Sequence, residues 1–289
     1  MQPKLVVIVG ETASGKSELA IKLAQKFGGE IICADSRTGY KGLDVGTAKP
    51  SAEERRAVRH HLLDVVEPDS KFTAADFKKL AENAIENIAS RGKLPIIAGG
   101  TGLYMDALVF DYGFEAPADP KQRAWLSEKS VPELQQMLKD KGLPLPFNEQ
   151  NPRHLMRALE TGGAKGEKQK LRPNTLMIGL TVDRETLKRR IERRVDAMLA
   201  QGLVREIRQC AGQYGWHAEA LKTPACKAFR GYIEGAETLE QSRKKFIKND
   251  LDLAKRQRTW FKRNKSIHWL ATPVNWHEAV ELVTTFLSS

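Results

Sequence analysis

No stretch of this chain approaches the roughly 18 consecutive apolar residues that a membrane-spanning helix requires, and the N-terminus already reads as strand and loop. Membrane insertion is therefore not expected. Cysteine is scarce as well. Cys33, Cys210 and Cys226 are scattered, odd in number and without C-x-x-C spacing. That excludes a disulfide frame and a cysteine zinc site, and it predicts a reducing, cytoplasmic setting. Internal repeats and long low-complexity tracts are missing too. Histidine clusters are limited to His60-His61. Adjacent side chains of extended backbone point to opposite faces, and no second His, Cys or Glu cluster stands nearby at ligand spacing, so the pair reads as packing or hydrogen bonding rather than metal ligation.

What remains is the composition of an ordinary soluble globular protein, 289 residues with 41% hydrophobic and 29% charged. Its charge is unevenly placed. From Arg184 to Lys265 there are 21 Lys and Arg against 10 Asp and Glu, a net of +11, while the remainder, 26 against 26, is neutral. A neutral part beside a basic one suggests a small anionic substrate and a polyanionic partner, with a solvated basic face as the bland alternative.

The neutral part holds the most informative stretch, Gly10-Glu-Thr-Ala-Ser-Gly-Lys-Ser17, which fits the G-x-x-x-x-G-K-[ST] phosphate-binding loop. Before it runs Leu5-Val-Val-Ile-Val9, the profile of a buried parallel strand. After it Leu19, Leu23 and Phe27 recur at helical spacing and Gly28-Gly29 stops the helix. The residues Gly10, Glu11, Thr12, Ala13, Ser14, Gly15, Lys16 and Ser17 would bind a phosphate or diphosphate. Their backbone N–H groups converge on the anion, Lys16 supplies a charge and Ser17 can hold Mg²⁺.

Along the chain, Glu30–Ala34 reads as a second strand ending at Asp35-Ser36, where open α/β sheets place their chemistry. A structured loop runs to Pro50, and Ser51 caps a short helix. Thr73 to Arg91 is an amphipathic helix. Leu94–Ala98 is a strand opening into Gly99-Gly-Thr-Gly-Leu-Tyr104, a second glycine turn that could wall the same site. From Phe114 to Lys170 prolines punctuate short helices, the mark of a helical insertion with a linker at Lys165–Lys170. Asn174–Val182 resumes the sheet, Asp183–Leu199 is a basic amphipathic helix, and the chain to Trp269 reads as mainly helical. Near its end Lys255, Arg256, Arg258 and Lys262 share a helix with apolar residues that read as core, among them Phe261.

The order of these motifs resembles the bacterial tRNA dimethylallyltransferase family. The resemblance rests on Gly10–Ser17, Asp35-Ser36, Gly46-Thr-Ala-Lys-Pro50, His60-His-Leu-Leu-Asp64 and Gly99–Tyr104. It continues through Arg153–Glu160, Arg194-Val-Asp-Ala-Met198 with Gly202-Leu203, and Ala254–Phe261. It implies a P-loop kinase-like α/β fold, a parallel sheet core flanked by helices, with a helical insertion and a basic helical C-terminal part. The expected divisions are 1–113, 114–170 facing tRNA, and 171–289. The implied reaction transfers a dimethylallyl group from dimethylallyl diphosphate to N6 of adenosine 37 of tRNA, with Mg²⁺ at Ser17, in a cytoplasmic monomer.

Carried over by position, Asp35, Thr101 and Lys16 would be catalytic, Asp35 as base. The tRNA would meet Asp35, Ser36, Arg37, Thr38, Thr101 and Arg123. Further tRNA contacts would come from Arg153, His154, Leu155, Met156 and Arg157, then Lys222 and Lys227. The last would be Lys255, Arg256, Gln257, Arg258, Thr259, Trp260, Phe261 and Lys262. The chain departs from the family at Glu11, where proline is usual, at Gly39, and at Ala225-Cys-Lys-Ala228, where only Lys227 of the usual segment remains. Two rival readings are a small-molecule or nucleotide kinase using ATP, which leaves the basic half idle, and an RNA-binding protein with a vestigial loop, against which Lys16, Ser17, Asp35 and Thr101 all speak.

Overall fold

The computed structural model describes residues 2–115, 118–164, 166 and 168–289. Lys165 and Glu167 of the expected linker, and Pro117 of the insertion, lie outside them. Two compact units emerge, one from Met1–Val109 with Leu171–Ser289 and one from Phe110–Lys170.

In the first unit the order begins β1 (Leu5–Gly10), α1 (Lys16–Phe27), β2 (Gly29–Cys33), α2 (Ala52–Ala57) and β3 (His60–His61). Next come α3 (Ala74–Ser90), β4 (Leu94–Gly99) and α4 (Gly102–Val109). The second unit contributes α5 (Pro120–Ser127), α6 (Val131–Asp140) and α7 (Pro152–Glu160), closed over Leu126, Leu134, Leu138, Leu155, Met156 and Leu159. The first unit then resumes with β5 (Thr175–Thr181), α8 (Arg184–Ala200), α9 (Leu203–Tyr214), a 3₁₀ turn at Glu219–Lys222 and α10 (Pro224–Ile233). It ends with α11 (Leu239–Phe261), β6 (Ile267–Ala271) and α12 (Trp276–Ser288).

The six strands form one all-parallel sheet in the order β3-β2-β4-β1-β5-β6. β1 is central and wholly buried, paired Val6 to Ile96 on one side and Val6 to Leu176 on the other. Parallel strands covered on both faces need uninterrupted apolar runs, which is what Leu5–Val9 and Leu94–Ala98 supply. Helix α1 lays Leu19 and Leu23 on the sheet, joined by Ala279 and Val283 of α12. A second core is helical, built from α8 to α11 with Tyr40 and Leu43 of the loop after β2.

Strand β6 was not expected from the sequence, where the chain before Trp269 reads as helical. Only Ile267 and Leu270 of its five residues are buried, so an edge strand of this kind carries neither a continuous apolar run nor a clean alternation. Several helix starts conform to the capping rule. Ser51 with Glu54, Thr73 with Asp76 and Thr238 with Gln241 each close a reciprocal capping box. The compact insertion begins at Phe110, ahead of the position 114 read from proline spacing.

Candidate active site

The carboxyl ends of β1, β2 and β4 bring three turns together. The first is the glycine loop between β1 and α1. Gly15 occupies the left-handed region at φ 92°, which a side chain would strain, and opens α1 so that its free N–H groups face the loop. Ser14 is fully buried, and its Oγ has no protein partner. Lys16 Nζ donates to the Glu11 carbonyl at 3.1 Å. Burial lowers the Lys16 pKa to about 8, against the opposing charge of Asp35, and the cation Arg194 pushes the same way as burial.

The second turn carries Asp35. Its Oδ1 accepts the Arg37 backbone N–H at 2.8 Å, so the carboxylate does cap its own turn, while Oδ2 has no hydrogen-bond partner among the described residues. The third turn is Gly99–Gly102. Thr101 Oγ1 accepts the Ser36 N–H at 3.0 Å, tying it to the Asp35 turn. The glycines there serve a helix rather than an anion. A Cβ on Gly100 would stand 2.2 Å from Gln257 Nε2, and one on Gly102 2.4 Å from Trp260, so α11 could not dock on any larger residues.

Together the last two turns form one wall of a cavity of about 490 Å³. Lys222, Lys227, Arg256 and Trp260 line it together with Asp35, Ser36, Arg37 and Thr101. This is a concave site of small-ligand size lined by two carboxylates, Asp35 and Asp252, and by the cations Arg37, Lys222, Lys227 and Arg256. Trp260 Nε1 donates to Asp106 Oδ2 at 3.1 Å, which orients the ring in the cavity lining. In α10, Ala225, Cys226 and Ala228 are small and buried, leaving only Lys227 of that segment to face the cavity.

Helix α11 joins cavity and loop. Its inward stripe is Ser242, Phe246, Asp250, Ala254, Gln257 and Phe261, and three of those six are polar. Gln257 accepts the Thr12 N–H at 2.7 Å and donates to the Gly100 carbonyl at 3.0 Å, spanning the first and third turns. Asp250 accepts from Arg194 of α8 at 2.5 Å, and the other end of that guanidinium donates to Thr12 Oγ1 at 2.6 Å. Arg194 Nε is buried without a protein partner. Burial raises the Asp250 pKa, and its Arg194 partner opposes the shift. Arg190 adds a bond to the Ser14 carbonyl at 3.3 Å.

Arg194, Asp250 and Arg190 carry no role in the sequence reading. The available signal was a polar residue on an otherwise apolar helical stripe, since a group buried at such a position needs a partner. Buried donors around an anion loop, Ser14 Oγ and Arg194 Nε, suit diphosphate oxygens. Ser17 is exposed at the loop's end with no protein partner among the described residues, and no cluster of three or more His, Cys, Asp or Glu stands ready to cage a metal among them. In a loop of this pattern the hydroxyl after the lysine is the protein's contact to a Mg²⁺ whose other ligands are phosphate oxygens and water, and Ser17 fits that part.

Several of the residues expected to meet tRNA have their side chains buried or committed within the protein. Leu155, Met156 and Phe261 are core side chains, with exposures of 0%, 8% and 2%. Thr38 and Gln257 are buried too, Gln257 being committed to the two turns. Arg258 is taken by Glu11, whose carboxylate faces that arginine rather than the interior of the loop. Exposed as expected are Lys255, Arg256, Thr259 and Lys262 of α11. In the insertion Arg153 and His154 are exposed, Arg123 holds Glu160 at 2.9 Å, and Arg157 bonds the Glu115 carbonyl at 3.0 Å.

The loop after β2 is pinned as a unit. Glu206 of α9 accepts the backbone N–H groups of Asp44, Val45 and Gly46 at 2.7 to 2.8 Å. Lys49, buried in the Gly46–Pro50 motif, bonds the Tyr40 carbonyl, Asp44 and Asp64. At the other end of the sheet His61 of β3 bonds Glu30, which bears out a hydrogen-bonding role for that residue.

Comparison with known proteins agrees with this geometry. The family model for IPP transferase matches residues 38–264. A tRNA dimethylallyltransferase of Anoxybacillus flavithermus is 40% identical over 282 residues, covering 93% of this chain and 90% of the relative. One of Desulforudis audaxviator is 41% identical over 284 residues, covering 93% and 92%. Among solved structures, a tRNA isopentenylpyrophosphate transferase of Bacillus halodurans superposes with a TM-score of 0.76 at 34% identity, covering 99% of this chain and 95% of that one. A eukaryotic dimethylallyltransferase acting on tRNA gives 0.84 at 28% identity, covering 99% and 80%. The sheet, the glycine loop and these likenesses agree, and the chain belongs to the IPP transferase family.

Proposed function

We propose that this chain transfers a dimethylallyl group from dimethylallyl diphosphate to the exocyclic N6 of adenosine 37 in tRNA and releases diphosphate. The observation that carries the reading is Gln257. One buried amide joins the anion loop to the turn beside Asp35, so an anionic donor and a nucleobase acceptor can meet across it.

The chemistry follows from these groups. The donor's C1–O bond breaks as N6 attacks C1, the N6 proton passes to the Asp35 carboxylate, and the electron pair leaves with diphosphate. An allylic carbon ionises readily, so stabilising charge on the leaving group lowers the barrier most. Lys16, Arg194 and the loop N–H groups would hold that charge. Mg²⁺, held by Ser17 and diphosphate oxygens, would supply further charge neutralisation when bound. The adenine amine is a weak nucleophile because its lone pair is conjugated with the ring. Holding it at fixed distance therefore matters more than basicity, and the Asp35 and Thr101 turns are cross-linked for that purpose. The cations of the cavity and of α11 would meet tRNA phosphates, contacts that position without reading sequence. A kinase reading has no support from the family and leaves those cations without a task.

Unmodified tRNA incubated with dimethylallyl diphosphate or with ATP, followed by mass analysis of the nucleosides, tests the reading. Dimethylallyl-adenosine with the first donor is expected. Stoichiometric ATP turnover stimulated by a small acceptor would overturn it.

A further inference from the structure

Glu11 is an unusual occupant of an anion-binding loop. It sits one residue after Gly10, is 4% exposed, and places a full negative charge beside the position that a diphosphate would fill. Alone, it would oppose the ligand. Arg258, from the last turn and a half of α11, meets it with Nε on one carboxylate oxygen and Nη2 on the other at 2.9 Å. The same Nη2 donates to the Val182 carbonyl, just past β5, at 3.1 Å. Two of three guanidinium nitrogens are therefore committed inside the protein. Side-by-side pairing of this kind fixes both partners in one geometry.

Glu11 is in turn part of the loop's scaffold, since its carbonyl accepts both the Ser14 N–H and Lys16 Nζ. The charges of the pair cancel near the anion site, and the loop is hung from β5 through it. Its neighbour Gln257 grips Thr12, so two successive residues of α11 hold two successive residues of the loop.

We propose that Arg258 is a positioning residue of the diphosphate loop, neutralising and holding Glu11, and is not an RNA contact. This rests on the diphosphate reading of the loop. The test nevertheless reads binding of inorganic pyrophosphate by calorimetry, which does not depend on whether transfer occurs, so the two can fail separately. Arg258→Gln leaves the Glu11 charge uncompensated and is expected to weaken pyrophosphate binding about tenfold, the order for one added charge within 10 Å at the protein surface. Glu11→Gln removes the repulsion and should bind pyrophosphate as tightly as the parent or more tightly. The double variant Glu11→Gln/Arg258→Gln should return to within about threefold of the parent, a rescue that loss of a direct ligand contact by Arg258 would not give. In all three the dependence of tRNA affinity on salt should keep the parental slope.

Two results would overturn the proposal. One is a slope shallower by about 1 in Arg258→Gln with pyrophosphate binding unchanged, which makes Arg258 a phosphate contact. The other is a double variant as weak as Arg258→Gln. If Arg258→Gln does not fold, the double variant alone decides, because it leaves no unpaired charge. Parental pyrophosphate affinity and parental salt slope then support the proposal, and a tenfold loss or a shallower slope removes it.

Discussion

The Ser36 backbone N–H donates to Thr101 Oγ1 at 3.0 Å across 65 residues of chain. That bond locks the turn after β2 to the turn after β4, and the Asp35 carboxylate precedes it by one residue. The side chain is thus aimed by two strand ends at once, which is what a positioned acid–base group requires.

Asp35→Asn separates this role from turn capping. The amide oxygen can still accept the Arg37 N–H, so the turn should persist. Affinities for tRNA and diphosphate are expected within a few-fold of the parent, while single-turnover transfer at saturating substrates falls by about 10²- to 10⁴-fold. A near-parental rate would leave Asp35 as a turn cap only.

Lys16 should make pyrophosphate binding depend on pH. Burial lowers its pKa to about 8, so in the free protein the ammonium is lost as pH rises through that value. Pyrophosphate affinity should decline by up to about tenfold per unit above pH 8, and this component should be missing in Lys16→Ala. Fold stability runs the other way. The folded pKa lies below the unfolded one, so the unfolded chain holds more protons between about 8 and 10.5 and this group's contribution to stability rises across that window. Calorimetric titrations and urea melts from pH 7 to 10 check both signs.

The exposed cations of α11 give a count for RNA. Lys255 and Arg256 are exposed and have no ion pair among the described residues. Replacing both by Ala should make the slope of log K against log salt for tRNA shallower by about 1.5 to 2, with pyrophosphate binding unaltered. An unchanged slope in the folded variant would assign them to the solvated surface.

Glu30 provides a stability test remote from the site. Its carboxylate, 2% exposed, is held by Arg91 at 2.5 and 2.7 Å, by Lys93 at 2.8 Å and by His61 at 2.7 Å. The Arg91 hydrogen bonds, against the cost of burial, hold its pKa far below the usual carboxylate range. The group therefore stabilises the fold fully above its unfolded pKa of about 4.5, and this contribution fades as pH falls below that value. Glu30→Gln should lose about 2 kcal/mol in urea unfolding at pH 7, because it leaves cations facing a neutral group. The gap between parent and variant should narrow toward pH 3.

Much of this was legible in the sequence because the signals are local. A glycine loop with a strand before it and an amphipathic helix after it is decided within about 25 residues, and so is Ser51 as a cap. Asp35 could be placed because a strand end beside such a loop is already a geometric statement. Contacts between distant segments were not legible. Nothing local pairs Gln257 with Thr12, Arg194 with Asp250, or Arg258 with Glu11. Leu155 and Phe261 were drawn into the RNA list by motif membership, although helical spacing from Leu159 and Gln257 already turned both inward.

The central position of β1 also sets the order in which the sheet can be completed during synthesis. β1 gains β4 as a neighbour while the first 99 residues are being made, but its other edge waits for β5, on the far side of the insertion. β6 and α12 follow later still, and Lys4, just ahead of β1, finally bonds the Phe286 and Leu287 carbonyls of α12. Arg194, Gln257 and Arg258 all emerge after β5 begins, so a nascent chain carries an anion loop that has not yet received its supports. During synthesis the chain thus passes through an interval in which one edge of β1 and the anion loop lack the segments that later cover them.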